Sequence, residues 1–213
     1  ERASSPVARA ANCALALQSA VDSESADAEG PLLQLKVAVA QGSLACACLG
    51  GVRSRWELVV HGRALREAGI AVAACAPGWV VLSAEAWRSI EGDAGGQPVD
   101  ADVVRLLRAP TLALPPRVPQ PRLEQRALQA AWQFGPHAIR ARLASGQGDW
   151  LAELRRITVI FITLPGRLGE AGLAETQALM TRLQNLVYRV EGSVNKISVD
   201  DKGLSMVAVL GMP

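Results

Sequence analysis

The C-terminal stretch EGSVNKISVDDKGLSMVAVLGMP (191–213) constrains the fold more than any other part of the chain. It reads as a strand over 193–199, a tight turn at Asp200-Asp201-Lys202-Gly203, and a second apolar strand over 204–210. Two such strands joined by a short Asp/Gly turn form an antiparallel hairpin. Ahead of it, from Glu175, Leu179, Leu183, Leu186, Val187 and Val190 fit one face of a 3.6-residue helix. Earlier still, RITVIFIT (156–163) is apolar on both faces, which predicts a central strand covered on both sides. Leu164-Pro165-Gly166 closes that strand. The second part of the chain is therefore strand, helix, hairpin. Its last strand stops in mid-element, and Glu1 leads within a few residues into an apolar helix, so the expectation is a window of a longer protein.

The first part has a different order. Residues 8–21 (ARAANCALALQSAV) predict a helix, and an acidic, Ser-rich loop follows from Asp22 to Gly30. Leu33, Leu35, Val37 and Val39 alternate with more polar positions as in a half-buried strand. Gln41-Gly42 supplies a turn and Leu44–Leu49 returns, which predicts a hairpin between these two strands. Leu58–Val60 is a further strand, 64–75 a helix ended by Pro77-Gly78, and Trp79–Leu82 another strand. Ser83 is placed to cap a short helix carrying Glu85 and Trp87. From Glu91 to Pro121, Gly-Gly and then Pro110, Pro115, Pro116, Pro119 and Pro121 predict an extended linker. A helical stretch from about Leu123 follows, broken at Gly135-Pro136 and again around 145–148. The fold class is α+β. The expected division is residues 1–90, a linker over 91–150, and residues 151–213.

Composition narrows the function. At 213 residues the chain is one large domain or two small ones, and half of it is hydrophobic, ample for a core. The 22 Lys+Arg are scattered against 20 Asp+Glu, a net charge of +2, so no basic stripe points to nucleic acid. No apolar run approaches the roughly 18 residues of a membrane span, which predicts a soluble, cytoplasmic protein. The cysteines, Cys13, Cys46, Cys48 and Cys75, lack C-x-x-C spacing, and the histidines are only His61 and His137. Buried, reduced thiols are expected rather than a zinc site.

The stretch LKVAVAQGSL, then LGG, WELVVHGRAL and APGWVVLSAEAW, resembles the C-terminal half of a class III nucleotidyl cyclase domain. SGQGDWLAELRRITVIFITLPG and VEGSVNKISVDDKGLSMVAVLGMP resemble the linker and N-terminal half of a second one. Together they look like the catalytic pair of the soluble (type ten) adenylyl cyclases and their bacterial relatives. That resemblance implies two partial, ferredoxin-like domains joined by a Pro-rich and helical linker. It implies a parent enzyme that converts ATP to cyclic AMP and pyrophosphate in intracellular signalling, with the two domains paired within one chain. It also implies Mg²⁺ or Mn²⁺ on aspartates, and a catalytic asparagine and arginine, all outside this window. No catalytic or metal-binding residue is then expected within it, and the piece by itself would be inactive.

Two lysines match the family pattern. Lys196, in VNKIS, matches the lysine that hydrogen-bonds the purine and selects adenine; an ammonium can donate to a ring nitrogen. Periodicity sets it on the face opposite Ile197 and Val199. Lys36, in LQLKVAVAQG, matches a lysine that contacts substrate phosphates. Without the resemblance, each reads as a polar residue on the wet side of a strand. Phe161 falls where the family has an aromatic near the purine, and is otherwise a core residue. Asp200 and Asp201 are turn chemistry. Thr163 stands where a metal-binding half would carry aspartate, which suits a half that reads substrate. Gly69 stands where bicarbonate-activated members hold an arginine, with Arg66 one turn earlier, so activation by bicarbonate is in question. The competing expectation is a degenerate cyclase-like pair serving as a regulatory or binding module.

Overall fold

Ser5 opens the first helix: its hydroxyl accepts a hydrogen bond from the Ala8 N–H at 3.1 Å, satisfying one of the donors a helix start leaves free. In this computed structural model the described residues are 5–26, 33–112, 122–146, 156–164, 172–200 and 203–211. The first part runs α1 (Pro6–Ala26), β1 (Lys36–Val39), β2 (Leu44–Gly50), β3 (Trp56–Gly62), α2 (Arg63–Ala74), β4 (Trp79–Ser83), α3 (Ala84–Arg88), β5 (Gly95–Pro98) and β6 (Val103–Arg108). The second runs α4 (Gln125–Trp132), α5 (His137–Ala144), β7 (Thr158–Leu164), α6 (Leu173–Arg189), β8 (Ser193–Asp200) and β9 (Gly203–Leu210). The protein is mixed α and β with separate sheets, β1-β4-β6-β5, β2-β3 and β7-β9-β8. Among the described residues, no helix is long and apolar enough to cross a membrane.

The chain forms two units. One is Glu1–Leu44 with Gly62–Val118; the other is Ala45–His61 with Pro119–Pro213. In the first unit the sheet is covered on both faces. Val7, Ala8, Ala11 and Ala14 of α1 pack on Val39, Val80, Leu82 and Leu106, with Ala86 and Ile90 closing the same layer. Ala71 and Cys75, from α2 and its cap, pack on Val81 and Val103 of the opposite face. Burial of a side chain such as Leu82 contributes about 1.5–3 kcal/mol. The Ser83 cap is present, its side chain accepting from Ala86 N at 3.4 Å.

Two expectations for this unit are corrected. β1 does not form a hairpin with β2; it pairs in parallel with β4, from Lys36↔Trp79 to Val39↔Leu82. Parallel neighbours need a long crossover, and here it carries the β2–β3 pair and α2. The Gln41-Gly42 turn leads the chain against the start of α2, where Ala64 N–H donates to Ser43 O at 3.3 Å. The second correction concerns 91–121. Through Arg108 this stretch is strand: β5 and β6 pair antiparallel, and β6 pairs antiparallel with β4. The Gly-Gly there serves close packing, since a Cβ on Gly96 would meet the Trp87 ring at 2.6 Å and Val104 at 2.8 Å. Residues 113–121, with four of the five prolines, lie outside the described residues.

In the second unit Leu49 and Val59 of β2 and β3 share a core with Met180 and Val187 of α6 and with Val194, Leu204, Met206 and Ala208 of β8 and β9. The buried side of α6 is Thr176, Met180, Gln184 and Val187. Leu179, Leu186 and Val190, expected on the apolar face, are exposed. The rotation has a polar cause. Gln177 grips Gly50 from both sides, its Oε1 accepting from Gly50 N and its Nε2 donating to Gly50 O, each at 2.8 Å. Gln184 accepts from Val52 N at 3.2 Å and donates to Arg55 O at 3.1 Å. Four backbone groups of the β2–β3 connection find partners on one helix face, Arg55 C=O in addition to the Gly51 N–H from which it accepts at 2.8 Å.

β7 is also corrected. Among the described residues it pairs only with β9, as an edge strand, and Val159, Ile160 and Phe161 are exposed. α6 covers one side of this sheet, and among the described residues nothing covers the outward side of this strand. The thiols are corrected too: Cys13, Cys46 and Cys48 are exposed and only Cys75 is buried. In β2, side chains alternate, so turning Ala47 and Leu49 to the core turns Cys46 and Cys48 away.

Candidate functional site

β8 carries Lys196, and strict alternation would set it on the same face as Val194. Val194 is buried in the core, so an uninterrupted strand would send the lysine there as well. A bulge prevents this. The register slips between Val194↔Ala208 and Lys196↔Val207, leaving Asn195 as the extra residue. Val194 stays inward, Lys196 turns to the opposite face, and Ile197↔Met206 resumes core packing.

That opposite face contains the expected partner. Phe161 is paired with Val207, which is also the partner of Lys196, so the three form one row across β7, β9 and β8. Phe161 is 67% exposed and Lys196 is exposed. The next row on the same face is Thr163, Ser205 and Ser198, three hydroxyls of which Ser205 is buried, Ser198 half-buried and Thr163 exposed. An open aromatic face, a cation and hydroxyls that donate or accept form a surface that can stack a flat ring and hydrogen-bond its edge. Phe161 is therefore not a core residue. Asp200 closes β8 opposite Gly203, and Asp201 lies outside the described residues.

Lys36 belongs to the other unit. It is exposed at the start of edge strand β1, in register with Trp79. Arg105 pairs with Val81, two residues along from Trp79 and so on the same face, and its guanidinium lies 4.4 Å from the Trp79 ring centroid. Trp79 and Arg105 line a surface hollow of about 410 Å³ with Gln97, Pro98 and Val99. Behind it the Cys75 thiol approaches Trp79 O at 3.3 Å; burial pushes its pKa up, against the backbone contact to Val37 O and the nearby Lys36 charge. Arg105 and Trp79 flank the expected phosphate lysine, yet Arg105 was hidden from sequence reasoning because its strand was taken for a linker. Gly69 and Arg66 both lie on α2, half-buried.

Among the described residues, no group of three or more His, Cys, Asp or Glu side chains converges as metal ligands must. Comparison with family models finds none that matches the chain, and comparison with curated proteins finds no match.

Proposed function

We propose that the chain is part of an adenylyl cyclase, an enzyme that converts ATP to cyclic AMP and pyrophosphate, and that its second unit contributes the purine-reading surface. The observation that carries this reading is the row Phe161–Val207–Lys196 on the open face of β7-β9-β8. The bulge at Asn195 supports it, because a bulge spends a ladder position to re-aim one side chain, and the one re-aimed is Lys196. In this role Phe161 stacks on the base and the Lys196 ammonium donates to a ring nitrogen of adenine. The corresponding edge of guanine presents a donor where adenine presents an acceptor, so the same ammonium discriminates against GTP. Lys36 and Arg105, beside Trp79, are the cations the first unit offers to phosphate oxygens.

The test is cyclic AMP production by the longer parent that this reading requires, with ATP or GTP and with Mg²⁺ or Mn²⁺. Lys196→Ala is expected to cut activity with ATP at least tenfold and to narrow the preference over GTP. Unchanged activity and selectivity in that variant would remove Lys196 from the site. No cyclic AMP under either metal would favour the degenerate pair acting as a binding module.

A further inference from the structure

The tip joining β2 to β3 is unusual in three ways that coincide in space. Its backbone is left-handed at Gly50, Gly51, Arg53 and Ser54, with φ of 103°, 92°, 52° and 57°, and the last two are not glycine. Positive φ at non-glycine residues persists only where the surroundings impose it, and it marks functional loops. Next, Arg55 is buried, its side chain 7% exposed, and one nitrogen meets Glu57 at 2.7 Å. Its Nε and Nη1 are buried with no hydrogen-bond partner. A guanidinium so desolvated normally has every N–H satisfied. Finally, other cations gather at the same place. Arg53 lies over the Tyr188 ring, 5.2 Å from its centroid, and Tyr188 lies within electrostatic reach of Arg55, Glu57, Arg53 and Arg140. The Nε of Arg140, on α5, is likewise buried and unpartnered. Among the described residues, the charges acting on this phenol are thus those of three arginines and one carboxylate.

We propose that Arg53, Arg55 and Arg140, around Tyr188, form a binding site for a small, multiply charged oxyanion of the phosphate or sulfate class. The unused N–H groups of Arg55 and Arg140 supply donors, Arg53 supplies further charge, and the Tyr188 hydroxyl can donate to the same ion. All of these residues belong to the second unit. The proposal is independent of Lys196 and of the cyclase reading, so either can fail without the other.

Glu57 gives the site a pH dependence of known sign. Burial raises its pKa from 4.5 to about 7, against the opposing charge and hydrogen bond of Arg55. The charged and titratable groups that act on it are Arg55 beside it and Tyr188 on α6. As pH falls through 7, Glu57 becomes neutral, its repulsion of an anion disappears, and binding tightens. Sulfate keeps one charge state over this range, so its own ionisation adds nothing to the change.

The experiment is thermal unfolding of the full chain in sulfate, inorganic phosphate or ATP, each against chloride at equal ionic strength. Arg53→Gln and Arg140→Gln are run alongside, since both leave the Arg55–Glu57 pair in place. Sulfate also raises Tm non-specifically by exclusion from protein surfaces, equally in all three proteins. The expected result is an additional, saturable rise in the wild type, with an apparent Kd about tenfold weaker in each variant and tighter at pH 6 than at pH 8. If ATP alone gives a rise that the variants lose, the oxyanion is a nucleotide phosphate rather than a free ion. Equal shifts in wild type and both variants, or no saturable rise with any of the anions, would overturn the proposal. Titration calorimetry with sulfate on the wild type gives the same decision should either variant fail to fold.

Discussion

Replacing Gln184 by methionine tests whether polar contacts, rather than apolar ones, hold the β2–β3 hairpin to α6. Gln184 is fully buried, and its amide is the partner of Val52 N–H and Arg55 C=O. Methionine keeps the length and nearly the volume, so little cavity is created. What is lost is the partner of Val52 N–H, worth about 1–3 kcal/mol when left unsatisfied away from water. Lost with it is a second bond to Arg55 C=O, worth about 0.5–1.5 kcal/mol because that carbonyl still accepts from Gly51 N–H at 2.8 Å. The expected loss is therefore about 1.5–4.5 kcal/mol, a large share of the 5–15 kcal/mol typical of a domain. With an m-value of about 2 kcal/mol/M, the urea midpoint by circular dichroism should fall by about 1–2 M. Amide exchange at Leu49 and Val59, the hairpin's core residues, should accelerate along with it. Asn185→Ala is the control: its side chain bonds only Thr181 O on the exposed surface, and its effect should stay within about 0.5 kcal/mol. A Gln184→Met protein as stable as the wild type would refute the claim that this glutamine is buried for the backbone it satisfies.

Two further predictions follow from burial. Glu57 holds its proton more tightly folded than unfolded, its pKa raised from 4.5 to about 7, so between those values the folded state binds more protons. Stability of the second unit should fall as pH rises from 5 to 8, by at most about 3 kcal/mol, and Glu57→Gln should flatten that slope; a steeper slope in the variant would contradict the sign. With a thiol reagent on the native chain, Cys13, Cys46 and Cys48 should react quickly and Cys75 only on unfolding, because it is buried and its pKa is raised. Four equally fast thiols would show that the α2 layer does not seal Cys75.

Features set by a few neighbouring residues were legible in the sequence. The helix over 64–75, its end at Pro77-Gly78, the strand Trp79–Leu82 and the Ser83 cap all depend on local spacing and capping chemistry, and the structure has them within a residue or two. The alternation over 33–39 correctly announced β1 but named the wrong partner, because pairing is a contest among distant strands. Strand β4 won it once α2 supplied the crossover. Gly95-Gly96 looked like linker because glycine has two uses, flexibility and close approach, and only the position of Trp87 shows which applies. On α6, hydrophobic spacing found Leu183 and Val187 but also named Leu179, Leu186 and Val190, which are exposed, because the burial of Gln184 is intelligible only beside the Val52 N–H and Arg55 C=O that it bonds.

The candidate site divides in the same way. Sequence by itself determined that Lys196 opposes Ile197 and Val199, since neighbours one and three apart on a strand face opposite ways. It could not determine that Lys196 also opposes Val194, because a period of two carries no sign of the bulge at Asn195. Nor could it place Phe161 in the same row, since those residues meet only through Val207 of a third strand. The convergence of Arg53, Arg55 and Arg140 on Tyr188 is a purely tertiary fact. Local chemistry is written in the order of residues; which faces meet, and which buried charge is left without a partner, is decided only when distant segments compete for the same core.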